Sequence, residues 1–251
     1  MRLALSSLGV LTLLVAAWYA VHVILALPEY ILPGPVRVAE AWWAQRNFIL
    51  QNAAVTAIEI VLGFIAGALL GIACALAMSL AAPLRAVMQP VLVASQAIPV
   101  FALAPIFVIW MGYGLAPKIA IAALVIFFPV AIAFADGLRR TPQALAEAAR
   151  VMAGAGFAAR LRTMRHVTVP AALPALGTGL RVGAGVAAIA AVIGEWVGAS
   201  SGLGYLMSWA NARSQAALMF AALATLFALA IAFTALIDVM TRRMTPWIRE
   251  D

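Results

Sequence analysis

Three ionisable side chains, Glu59, Arg181 and Glu195, fall inside or at the ends of long apolar stretches of this 251-residue chain. A central charge costs about 2.5–3.5 kcal/mol on membrane-insertion scales, so each is a candidate functional residue by default. Glu59 lies about one and a half turns into its stretch, roughly 8 Å deep if helical, and Glu195 is near the outer end of another. Arg181 occupies the inner half of the same stretch as Glu195. Two outer carboxylates would repel an anion and suit a neutral or weakly basic ring. The alternatives are structural: Glu59 bonded to a neighbouring helix, Arg181 snorkelling to the inner surface, Glu195 at the interface.

Other chemistry is missing from the pattern. No Gly-x-x-x-x-Gly-Lys-Ser/Thr phosphate loop occurs, and the sole lysine, Lys118, follows Pro117 in a connection between apolar stretches. Cys74 stands alone, and His22 and His166 are far apart, so neither a disulfide nor a metal site is expected. The reading is therefore of a non-enzyme without cofactor or metal, taking any ATP-derived energy from another chain.

The elements that must hold these residues belong to a bilayer. Hydrophobic residues make up 66% of the chain and charged residues 10%, against roughly 45–50% and 25% in soluble domains. The net charge of +7 is scattered among apolar stretches, which argues against a nucleic-acid surface. Six windows reach the length of about 20 residues that a helical span needs: Leu5–Leu27, Ala54–Leu80, Val87–Met111, Ala116–Ala135, Ala171–Val197 and Ala216–Met240. The expected class is an all-α integral membrane protein with six transmembrane helices, one domain over 1–251 and a core over 50–245. The first window exceeds a signal-peptide core and is read as a retained span.

Loop arginines set the orientation. Arg2, Arg85, Arg139, Arg140, Arg150, Arg160, Arg162, Arg165, Arg242, Arg243 and Arg249 fall on one side, against Arg37, Arg46, Lys118 and Arg213 on the other, which places both termini in the cytoplasm. On the outer side, Pro28, Pro33, Gly34 and Pro35 predict an extended entry to a helix over Val36–Leu50, lying along the surface or against a partner. Gly63, Gly67 and Gly71, like Gly179 and Gly183, free a helix face for close packing, either within the chain or across a dimer. Pro90, Pro99 and Pro105 predict kinks in the third window.

The longest cytoplasmic segment, about 136–170, predicts a helix with Thr141 as N-cap and Pro142 at its first position, ending near Gly154 or Gly156. A second helical piece over Phe157–Val169 precedes Pro170 and Pro174, so that two short helices around a glycine turn make a projecting knob.

Within that segment Glu147-Ala148-Ala149, Gly154 and Val167-Thr168-Val169-Pro170 resemble the Glu-Ala-Ala loop of bacterial ATP-binding-cassette (ABC) importer permeases. The resemblance implies the type I permease fold, with a cytoplasmic coupling helix between helices 4 and 5 that seats Glu147, Ala148, Ala149 and Gly154 on the ATP-binding subunit. It further implies a permease homodimer in a bacterial inner membrane, two ATP-binding subunits and an external solute-binding protein. Leu32-Pro33-Gly34-Pro35, Leu62-Gly63-Phe64, Ile98-Pro99 through Ala104-Pro105, and Ser201-Gly202-Leu203-Gly204-Tyr205-Leu206 are similar to the branch importing nitrate, sulfonates, taurine and thiamine-precursor pyrimidines. Gly194 to Ser201, with Asn211 and Met219-Phe220-Ala221, most resembles hydroxymethylpyrimidine permeases. The loop departs from the family spacing, with four residues where the pattern has three and twelve where it has nine; four extra residues turn a helix by about 400°, so its facing surface is nearly restored. The competing class is a self-contained secondary transporter or channel, but no inverted repeat is evident.

Overall fold

The computed structural model describes residues 2–154 and 156–247. Arg249, counted above for orientation, lies outside the described residues. No strand occurs among those described; the chain is a succession of helices.

Helix α1 runs Arg2–Ile24, 23 residues. After the proline-rich entry, α2 (Pro35–Ala44) starts with a proline at its first position, where the missing N–H would have had no helical partner. The predicted surface helix Val36–Leu50 is corrected here. It breaks at Gln45, and Arg46–Leu50 open the long helix α3 (Arg46–Leu80). Packing explains the division: Val38 of α2 and Ile49 of α3 are both buried in one apolar cluster, and the Trp42 indole N–H reaches the Thr225 hydroxyl at 3.1 Å.

The third predicted span is likewise not straight. It forms α4 (Ala82–Ser95) and α5 (Val100–Met111), bent by 107° at a break where Pro99 stands just before α5. Pro90 and Pro105 remain inside their helices. The break takes in residues 96–99, and Pro99 itself is extended, with ψ 108°, at the N-cap of α5.

Helix α6 (Leu115–Arg139) leads to α7 (Gln143–Ala153), which ends at Gly154 with φ +81°. Helix α7 begins at Gln143, one residue after the expected Pro142, and the Thr141 hydroxyl donates to the Leu138 carbonyl at 3.2 Å. The second loop helix, α8 (Phe157–Thr163), is not a separate piece either. It continues through a π turn, Met164–Thr168, into α9 (Val169–Trp196), making one stretch of 40 residues. Pro170 has no N–H to complete the α pattern, and a π turn takes in one extra residue, so the widened ring falls where the loop spacing is lengthened. Helices α10 (Leu203–Ala212) and α11 (Ala216–Met244) complete the chain.

Among the described residues, Arg46–Leu80, Leu115–Arg139, Phe157–Trp196 and Ala216–Met244 are long and apolar enough to cross a membrane, and α4 with α5 makes a fifth if counted as one broken span. The glycine stripes settle onto α6 from two sides. Gly63 faces Ala122, Gly67 faces Ala123 and Ile126, and Gly71 faces Val130 and Ala131; from α9, Gly179 faces Pro129 and Val130, and Gly183 faces Ile126. An added Cβ at Gly67 would stand 2.6 Å from the Ala123 carbonyl oxygen. These stripes therefore serve packing within the chain, and α3, α6 and α9 share a core containing Phe64, Ile126, Val130, Phe134 and Ala187.

Candidate functional site

On α3, Asn52, Thr56 and Glu59 follow one another at i, i+4 and i+7, which aligns them on one helix face. That face meets the end of α9 and the start of α10. A helix leaves its first four N–H groups without internal partners, and at α10 each of the four has a side-chain acceptor. Gly202 N donates to Asn52 Oδ1 at 2.8 Å, Leu203 N to Thr56 Oγ1 at 2.8 Å, and Gly204 N and Tyr205 N both donate to Glu195 Oε2, the latter at 3.4 Å. The Thr56 hydroxyl donates onward to Glu195 Oε1 at 2.6 Å. A carboxylate at this position also suits the positive end of the helix dipole.

Glu195 and the Gly202-Leu203-Gly204 run are thus two halves of one contact. At Gly202 a side chain would collide with the Glu195 carboxyl group, and its φ of 117° and ψ of 165° are a conformation essentially reserved for glycine. An added Cβ at Gly204 would stand 2.8 Å from Glu195 Oε2.

One turn along α3, Glu59 is fully buried and receives the Lys118 ammonium at 2.7 Å; Lys118 is 7% exposed. The placement of Lys118 in a connection is corrected: it lies in the first turn of α6, where Pro117 is tolerated, and crosses to α3 beneath the 197–202 loop. Gly194 of α9 packs on the Lys118 backbone, which brings three helices together at the ion pair. Glu59 Oε2 is buried with no hydrogen-bond partner among the described residues. The cluster holds two carboxylates and one ammonium. Above it lies a recess of about 600 Å³ bordered by Tyr113, Ser200 and Ser201.

Glu59 and Glu195 therefore come together, while Arg181 does not join them. It sits 14 residues before Glu195, about 21 Å along the helix, and pairs with Asp238 of α11 at 3.3 Å; Arg242 reaches the other Asp238 oxygen at 2.9 Å. The sequence reading passed over Asn52, Thr56 and Lys118. Polar residues at helical spacing ahead of Glu59 were the available signal for the first two.

At the opposite end, Glu147 and Ala148 are exposed on α7 and Ala149 is half-buried. Val151 and Met152 beside the glycine turn are 85% and 88% exposed. Arg160 of α8 holds the knob to the end of α3 through the Ser79 carbonyl at 3.0 Å.

Comparison with known proteins supplies independent findings. Residues 67–250 match the family model described as binding-protein-dependent transport system inner membrane component. The chain is similar to a probable ABC transporter permease of Haemophilus influenzae, with 44% identity covering 95% of this chain and 96% of the relative. A riboflavin transport system permease of Chloroflexus aurantiacus is 37% identical over 94% of this chain and 88% of the relative. A formylaminopyrimidine transport permease of Halalkalibacterium halodurans is 33% identical over 87% and 86%.

Proposed function

The chain belongs to the family of binding-protein-dependent transport system inner membrane components, and from that premise we propose that it is the pore of an importer carrying a small thiamine-precursor pyrimidine inward. It is an ABC transporter permease, a membrane pore subunit and not an enzyme.

The observation that carries the solute class is the pairing of the cluster's one cation. Lys118 is already bound to Glu59 at 2.7 Å, and a second carboxyl group, Glu195, is held close by through Thr56, so no free cation is offered to nitrate, taurine or another sulfonate. Relatives named for riboflavin and formylaminopyrimidine are 37% and 33% identical, against 30% for one named for taurine, an ordering that supports a heterocycle.

In this reading the six spans are α1, α3, the bent α4–α5 pair, α6, the α8–α9 stretch and α11. Both termini are cytoplasmic; removing Lys118 from the outer loops leaves only Arg37, Arg46 and Arg213 there and sharpens the arginine bias. Helix α7 is the coupling helix, its Glu147-Ala148-Ala149 turn and the protruding Val151 and Met152 entering a groove on the ATP-binding subunit. Two permease copies form the pathway, two ATP-binding subunits drive it, and an external binding protein delivers the solute, in a bacterial inner membrane.

The test is reconstitution of the permease with its ATP-binding subunit and binding protein in liposomes. Labelled aminopyrimidine should accumulate only with ATP inside the compartment that holds the ATP-binding subunit. ATP-dependent accumulation of taurine or nitrate, with no response to aminopyrimidine, would overturn the solute while leaving the permease family untouched.

A further inference from the structure

The recess above the ion pair has a volume of about 600 Å³, within the roughly 300–1,000 Å³ of small-molecule pockets. Its floor has hydrogen-bonding capacity left over. A lysine ammonium carries three hydrogens. On Lys118 one is directed to Glu59 Oε1 at 2.7 Å and a second reaches the Ser201 carbonyl only at 3.5 Å, the outer limit of a hydrogen bond. No acceptor for the third appears among the described residues, and Lys118 lines the recess. Glu59 behind it offsets the ammonium charge. The floor therefore offers a strong donor without a net positive field.

The wall is aromatic. Tyr113 is 81% exposed, with the edge of its ring against the Gly198 backbone, where even a Cβ would stand 2.6 Å from the ring. Ser200 and Ser201 supply hydroxyls beside it.

We propose that this recess is a solute-contact site, in which Lys118 Nζ donates to a ring nitrogen or carbonyl oxygen of an uncharged planar solute whose face lies on Tyr113. The inference rests on the importer reading above and adds to it a place and a set of contacts within the chain. Lys118 and Tyr113 are the contact residues; Glu59 is a positioning residue that fixes the direction and charge of the ammonium.

The experiment uses Ser200→Cys in a Cys74→Ser background, in the complete transporter reconstituted in nanodiscs, and measures labelling of the thiol by N-ethylmaleimide. Aminopyrimidine at about ten times its dissociation constant should slow labelling about tenfold, and taurine at the same concentration should leave the rate within about twofold of the unliganded rate. The paired change Glu59→Gln with Lys118→Met removes the ion pair as a unit and leaves Glu195 on its hydrogen bonds from Thr56 and α10; it should abolish protection. Tyr113→Ala, at an exposed position that does not threaten folding, should raise the aminopyrimidine concentration needed for protection about three- to tenfold. Absence of protection in a complex that still accumulates aminopyrimidine in liposomes overturns the recess and spares the transport reading. Protection that survives both Tyr113→Ala and the paired change also overturns it. Protection by taurine together with taurine uptake overturns the solute class in both.

Discussion

Glu195 is tolerated inside an apolar bundle because both of its oxygens accept hydrogen bonds, from Thr56 and from two amides of α10. A buried donor left without an acceptor costs about 1–3 kcal/mol, so the amides depend on Glu195 as much as it depends on them. Thr56→Val, which keeps the shape but removes the hydroxyl, should lower stability by about 1–3 kcal/mol, while Thr56→Ser should retain most of it. Gly202→Ala should do as much harm by another route, through a backbone conformation costing on the order of 1–3 kcal/mol for any other residue and a Cβ aimed at Glu195. Gly9→Ala, with nothing within 4 Å of the added carbon, is the control. Heating the detergent-purified permease and measuring the monodisperse fraction would rank the four variants; equal midpoints for Gly202→Ala and Gly9→Ala would contradict the capping role of Glu195.

At the scale of elements, α6 is held between glycine faces of α3 and α9, and its ends carry two different features. Its start contributes Lys118 to the ion-pair cluster, and just past its end at Arg139 the Thr141 hydroxyl bonds the Leu138 carbonyl before the chain turns into α7. Rigid packing against α6 joins both ends, since the contacts at Gly67 and Gly71 leave no room for sliding. Helix α7 projects from this frame, and the coupling role assigned to it is directly testable. Replacing Ala148 and Ala149 by Glu and Arg should reduce co-purification of the ATP-binding subunit by at least about tenfold, the effect of losing roughly 1.4 kcal/mol of binding, while membrane insertion is unchanged because both residues are outside the apolar core. Undiminished co-purification would remove α7 from the docking surface.

For the whole molecule, the exposed surface indicates where a second copy would sit. One face of α9 packs Gly179 and Gly183 on α6, and the other leaves Val182 and Ile189 51% and 62% exposed with Gly185 between them in open space. In the dimer proposed above this second face is the natural seam, because positions 182, 185 and 189 align along the helix and Gly185 permits close approach. Single cysteines at these three positions, in a Cys74→Ser background, should form disulfide-linked dimers on mild oxidation, and cysteines at buried Ala187 and Ala188 should not. A transport-competent particle with the mass of one permease chain would exclude the dimer.

The sequence alone determined the membrane class, the positions of the four long spans, the glycine faces, and a short helix ending at Gly154, because each follows from local composition or from a spacing that repeats along one helix. It could single out Glu59 and Glu195 as anomalous charges, since an ionised group in an apolar run stands out without knowledge of its neighbours. Only the tertiary structure decided what those charges do. Glu59 meets Lys118 across 59 positions and Glu195 meets Thr56 across 139, and no local periodicity encodes such pairings. The same holds for the corrections: Pro117 made Lys118 look like a loop residue, and the bend at Pro99 could be foreseen where its 107° angle could not. Local chemistry states which groups need partners; the packing of α3, α6, α9 and α10 decides which partners they find.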